Sequence, residues 1–168
     1  IETRNELFED HVIATESFAA PIKSMVAMLL DFFGYGSVMN PEQLAPYLEG
    51  DKKEEMLEHI GTTTRRIMQT LGTEWGRHLV NEDLWLNSME ERIKHYGEAK
   101  KHGHKGAFVI VTDVRYDNEA EMIKRNGGTI VHISTTREVE DVPSDHLSEH
   151  GISDCMIDGR IENNEEGM

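Results

Sequence analysis

Two stretches carry the side chains best suited to chemistry. The first is Thr62-Thr63-Thr64-Arg65-Arg66-Ile67-Met68-Gln69-Thr70-Leu71-Gly72-Thr73-Glu74-Trp75-Gly76-Arg77. On a helix, Arg66 and Gln69 stand three residues apart and share a face. Two arginines, a glycine break and a third arginine concentrate positive charge, and a guanidinium grips a phosphate through two parallel hydrogen bonds. The competing reading is a solvated helix face whose arginines pair with Glu58 or Glu74, and the residues alone weigh the two about equally. The second stretch is Phe108-Val109-Ile110-Val111-Thr112-Asp113, followed by Val114-Arg115. An apolar run ending in Asp sets a carboxylate at a strand's carboxyl end, the edge where open α/β sheets bind ligands. Mg²⁺ suits that place, because it takes one or two carboxylates and leaves its other positions to water and phosphate oxygens. Taken alone, an Asp there also reads as a turn or a cap.

Other polar groupings carry less. His146 and His150 have the four-residue spacing that puts two ligands on one helical face, and His102 and His104 lie in a loop. No third ligand and no cysteine pair joins either set, so zinc is not expected. Asp145-His146-Leu147-Ser148-Glu149 invites a triad reading but lacks the Gly-x-Ser-x-Gly elbow. Cys155 falls in an apolar segment and reads as core rather than nucleophile. The acidic end, residues 161–168, reads as a tail.

These groups need elements to hold them. Residues 11–15 read as a short strand. Pro21 opens a helix with Ile22, Met25, Val26, Leu29, Leu30 and Phe33 on one face, and Gly34 stops it. Asn40-Pro41 reads as a cap and first-turn proline for a helix to Leu48. Residues 50–61 read as a charged loop with a helical turn or two. Thr62–Thr64 offers several caps for the arginine helix, which Gly72 interrupts, and Asn81 caps a long helix over 82–101. The unbroken apolar run 107–112 suits a strand buried in a parallel sheet. With a helix over 118–126 and a strand over 129–134, it makes a right-handed βαβ unit. A helical scrap near 145–150 and a last strand near 155–157 complete an α/β chain with a mostly parallel sheet.

The whole composition fits a soluble globular domain. The chain has 168 residues, 17 Lys and Arg against 32 Asp and Glu, and a formal charge of −15. That balance excludes non-specific duplex binding, which needs a basic face, but leaves room for a small basic pocket. The longest apolar run, residues 25–30, is far short of the ~20 residues that span a bilayer. A single cysteine forbids an internal disulfide and fits a reducing compartment.

Several blocks in order resemble the phage deoxynucleoside monophosphate kinases, which are P-loop kinases, and more distantly the animal phosphomevalonate kinases. They are Ser17-Phe18-Ala19-Ala20-Pro21-Ile22-Lys23, Arg66 through Arg77, Asp83-Leu84-Trp85, Thr112-Asp113-Val114-Arg115-Tyr116-Asp117-Asn118-Glu119-Ala120, Gly127-Gly128-Thr129-Ile130-Val131 and Asp145-His146-Leu147-Ser148-Glu149. The resemblance implies a three-layer P-loop fold, a single domain over 1–168 with a helical substrate-binding insertion over 41–102. It implies transfer of the ATP γ-phosphoryl group to a deoxynucleoside monophosphate, with ATP and Mg²⁺ as cofactors, in the host cytoplasm, and a homodimer by family likeness. Arg66, Gln69 and Arg77 would hold the acceptor nucleotide, with Arg65 and Trp75 beside them. Trp75 would stack on a base or pack in the core, packing being favoured because buried aromatics are usually core. Asp113 would orient Mg²⁺ through water, Arg115 would neutralise phosphoryl charge, and Arg137 would be a lid arginine.

One departure stands out. The family's Gly-x-x-x-x-Gly-Lys-Ser/Thr loop, whose amides cradle phosphates, has no counterpart from Ile1 onward. The expectation is that the strand and loop lie upstream of Ile1 and that the chain alone is inactive. The rival readings are a non-catalytic nucleotide-binding module without that loop, or a kinase for another small phosphate acceptor such as phosphomevalonate.

Overall fold

The computed structural model describes residues 10–134 and 151–163. The chain forms two compact units, Ile1–Val111 and Thr112–Met168. Arg137, Asp145, His146, Ser148, Glu149 and His150 lie outside the described residues, as does the predicted helical scrap over 145–150.

The first unit is built on one parallel strand pair. Strand β1 (His11–Glu16) pairs with β4 (Gly106–Val111), from His11 opposite Gly106 to Glu16 opposite Val111. Everything between them is one long crossover. It contains α1 (Ala20–Phe32), α2 (Pro41–Leu48), a 3₁₀ turn over Asp51–Glu54, and an antiparallel scrap of β2 (Met56–Leu57) with β3 (Thr62–Thr63). Then come α3 (Thr64–Gln69), a π-helix over Thr70–Val80, α4 (Leu84–Gly97) and a 3₁₀ turn over Glu98–His102. Parallel strands require such a crossover, and here it supplies the helices that carry the first candidate site.

The core of this unit sits where α1, α2, β2 and α3 meet. Val26, Leu30, Leu44 and Leu57 are buried, and Ile22, Tyr35, Tyr47, Ile67, Met68 and Leu71 pack around them. Val26 and Leu30 are four residues apart on α1, as the helical period requires. Met25 and Phe33, read as members of the same stripe, are exposed instead; the stripe on α1 is narrower than the predicted one. Pro21 stands in the first turn of α1, and Gly34 follows the helix in the left-handed region at φ 76°. Helix α2 runs as predicted from Pro41 to Leu48, even with Pro46 inside it, although the Asn40 side chain makes no cap bond.

The second unit holds α5 (Asp117–Arg125) and a parallel pair of β5 (Val131–Ser134) with β6 (Gly159–Glu162). Ala120, Met122 and Ile130 are its buried apolar side chains. The class is therefore α/β with parallel strand pairs, compatible with a P-loop kinase fold.

Within the units, β4 bonds to β1 and β5 to β6. Three local expectations are corrected. The apolar run of β4 is not covered on both faces: Phe108 is 44% and Ile110 55% exposed. The predicted strand at 155–157 is a 3₁₀ turn over Asp154–Met156 that leaves Cys155 exposed, and the strand lies further on, over Gly159–Glu162, running into the supposed tail. Asn81 ends the π-helix rather than opening a helix to 101. Its side-chain oxygen accepts the Asp83 amide at 2.8 Å, and α4 begins at Leu84.

Candidate functional site

The arginine helix starts on a threonine cap. Thr63 is extended, and its hydroxyl oxygen accepts the Arg66 amide at 3.2 Å. Such a cap contributes about 1 kcal/mol. Gly72 does not break the helix. The coil widens at Thr70 into the 11-residue π segment, a geometry rare enough that it often marks a functional site.

The reason lies in what the glycines face. A Cβ on Gly76 would meet the Trp85 ring at 2.6 Å, and one on Gly72 would meet the tip of Ile22 at 3.1 Å. The Trp85 indole donates to the Gly72 carbonyl at 2.7 Å. An indole on α4 thus adds a bond to this carbonyl, and Gly76 makes room for that ring.

On this run stand Arg65, Arg66, Gln69, Trp75 and Arg77. Arg65 is hydrogen-bonded to Glu54. Arg66 is 61% exposed at its side chain and faces Glu74 at 3.7 Å, an ion pair looser than a hydrogen bond. Gln69 and Arg77 are half-buried. Trp75 is 37% exposed and tilts against Trp85, with ring centroids 6.4 Å apart. The Arg66 pairing with Glu74 matches the bland reading, but an exposed pair is worth only ~0–1 kcal/mol. A charge-assisted bond to a phosphate is worth ~1.5–3 kcal/mol, so the existing pair is a weak competitor. Glu74 Oε2 is covered and finds no hydrogen-bond partner among the described residues. Local conflicts of that kind gather at functional sites.

The second candidate group opens the second unit. Asp113 is half-buried and Arg115 exposed, both in the segment between β4 and α5. This segment is held by Glu119, which is 2% exposed. One Glu119 carboxylate oxygen accepts the Arg115 amide at 2.8 Å and the Tyr116 amide at 3.2 Å. The buried carboxylate thus fixes the backbone that carries Arg115. The residue pattern by itself assigns Glu119 no role. Its one signal is a Glu at the third position of a helix, which reaches back to the amide before it. Trp85 escapes the sequence in the same way. Nothing in the residue pattern announces a ring seated on glycines 9 and 13 positions earlier.

The arginine-bearing helix in the β1–β4 crossover and the aspartate just beyond β4 are the two candidate groups, one in each unit. Residues 36–166 match the model of the deoxynucleotide monophosphate kinase family, and the chain belongs to that family. It is 30% identical over 135 residues to the deoxynucleoside-5'-monophosphate kinase of Escherichia phage T5, an alignment covering 77% of this chain and 49% of the relative. The chain thus spans about half the length of that curated relative. No solved structure matches.

Proposed function

We propose that this protein serves the transfer of the γ-phosphoryl group of ATP to a deoxynucleoside monophosphate. In that reaction an oxygen of the monophosphate forms a bond to the γ-phosphorus as the bond to the β–γ bridging oxygen breaks, giving two diphosphates. Family membership supports the reading. The structural observation that carries it furthest is the continuous helical run with Arg66 on α3 and Arg77 on the π-helix that follows it.

Phosphoryl transfer is mostly positioning and charge neutralisation, and each candidate takes a part of that work. Arg66 and Arg77 bind the acceptor phosphate, Arg65 adds charge beside them, and Gln69 supplies a neutral amide to the same ligand. Trp75, packed on Trp85 from one side, offers its open surface to the base. Residues 41–102 are then the acceptor-binding insertion of a single kinase domain.

Arg115 neutralises charge on the phosphoryl group, with its backbone held by Glu119. Asp113 is the residue to hold Mg²⁺ through water. No group of three or more His, Cys, Asp or Glu among the described residues is placed around a metal. A lone carboxylate fits an ion that keeps its waters and phosphate oxygens. Mg²⁺ when bound supplies charge compensation on the phosphates.

The test is a coupled ADP-release assay on the full-length gene product with ATP, Mg²⁺ and each of the four deoxynucleoside monophosphates. ADP release that depends on at least one monophosphate is expected. Release that ignores all four overturns the reading.

A further inference from the structure

One face of α4 reaches two places at once. Trp85, Met89, Arg92 and Tyr96 succeed one another at spacings of four, three and four, so they line one side of the helix. At its start, Trp85 lies against Gly76 and donates to the Gly72 carbonyl. Met89 is fully buried between the two ends. Further along, Arg92 and Tyr96 close on the carboxyl end of β1. Arg92 Nη1 donates to the Glu16 carboxylate, Arg92 Nη2 to the Ser17 carbonyl at 2.9 Å, and the Tyr96 hydroxyl to Glu16 at 2.7 Å.

Ser17 is the residue that turns the chain from β1 toward α1. Its carbonyl also accepts the Ala20 amide at 3.2 Å. Two residues after Ala20, Ile22 touches the place where Gly72 lacks a side chain. The contacts therefore form a closed circuit: Arg92 to Ser17, along the first turn of α1 to Ile22, across to Gly72, and back through Trp85 to α4. The π-helix that bears Arg77 is gripped from both sides of this circuit. The β1 end is gripped at the ligand edge of the sheet.

We propose that Arg92 is a positioning residue for the acceptor site. Its tie to the Ser17 carbonyl sets the start of α1, and through Ile22 and Gly72 sets the π-helix and Arg77 on it. This rests on the acceptor reading of that helix. Arg92 itself touches no substrate. An ordinary, partly buried ion pair to Glu16 could be served by any cation of suitable reach. The guanidinium meets both acceptors with two separate nitrogens in a fixed fork, whereas a lysine has a single nitrogen and cannot reproduce that geometry. That difference separates positioning from mere folding.

The experiment compares Arg92→Lys and Tyr96→Phe with the parent in the full-length gene product, by steady-state kinetics in each substrate and by thermal melting. The lysine variant keeps the charge opposite Glu16 and loses the carbonyl tie. The phenylalanine variant removes one hydroxyl and leaves Arg92 in place. For Arg92→Lys we expect the KM for the deoxynucleoside monophosphate to rise about tenfold, since misplacement by ~1 Å has effects of this order or larger. The KM for ATP should stay within about twofold, and the melting temperature should change by less than ~4 °C. Tyr96→Phe should move the acceptor KM in the same direction by about threefold. An acceptor KM unchanged in Arg92→Lys overturns the proposal. So does a parallel loss of both KM values and melting temperature, which marks a folding role only. A parent without monophosphate-dependent turnover fails the acceptor reading itself, and the positioning role falls with it.

Discussion

At the scale of single residues the arginines decide the matter. The protein carries a formal charge of −15, so a monophosphate meets an unfavourable long-range field and needs a local cationic cluster. Replacing Arg66 or Arg77 by Ala should weaken monophosphate binding about ten- to a hundredfold, taking ~1.5–3 kcal/mol per charge-assisted contact. Arg→Lys at either position should recover only part of the loss, because a point charge cannot reproduce the planar fork. Calorimetric titration of folded variants with a deoxynucleoside monophosphate measures it; parental affinity in both alanine variants would make the cluster a solvated face. A second expectation concerns Asp113, assigned to the metal and not to the acceptor. Asp113→Asn should lower kcat at least tenfold and leave the acceptor affinity nearly unchanged, as read by kinetics across Mg²⁺ concentrations. Both arginines and the aspartate stand out as candidates in the sequence because the chemistry proposed for them is carried by residue type. Glu119 does not, because its part is set by a hydrogen bond to a neighbour's backbone.

At the scale of elements the glycines of the π-helix are the test. Gly76→Ala pushes a Cβ into the Trp85 ring at 2.6 Å and toward the Leu71 carbonyl at 2.8 Å. Neither a buried ring nor backbone yields cheaply, and a destabilisation of about 1–3 kcal/mol is expected from overpacking. Gly72→Ala meets only the end of the Ile22 side chain at 3.1 Å, which can rotate, so its cost should be smaller. Denaturant unfolding of the two variants gives the comparison, and an equal or reversed order would show that Trp85 does not govern this stretch. The elements that local signals define were readable in advance: β1, α1 with its first-turn proline, α2 after Asn40-Pro41, and the Thr63 cap. The π-helix was not, because a glycine in a helical pattern, here Gly72, reads as a break until the indole that bonds its carbonyl is known. The strand pairing was not either. Strand β4 pairs across more than 80 residues with β1, a choice that local pattern does not encode.

At the scale of the molecule the α/β class was legible from the order of apolar runs, and the division of pairing between two units was not. The second unit is closed by two aspartates. Asp117 accepts the Ser153 hydroxyl and amide, which hold its carboxyl below the usual range. Asp158 accepts the Ile130 amide and pairs with Lys124, with the same result, the amide first. A carboxyl depressed in the folded state contributes stability that is complete above its unfolded value near pH 4 and is lost as pH falls through the folded value. Acid should therefore loosen this unit below about pH 4, and Asp158→Asn should flatten the acid limb of its pH–stability curve, as followed by melting between pH 2 and 7. An unaltered limb in that variant would remove Asp158 from the account. Cys155 sits among these contacts, exposed and without a second cysteine anywhere in the chain. Both tryptophans, Trp75 and Trp85, belong to the other unit. A dye that absorbs indole emission, attached to this one thiol without any engineering, turns the native sequence into an energy-transfer ruler between the units, readable before and after nucleotide is added.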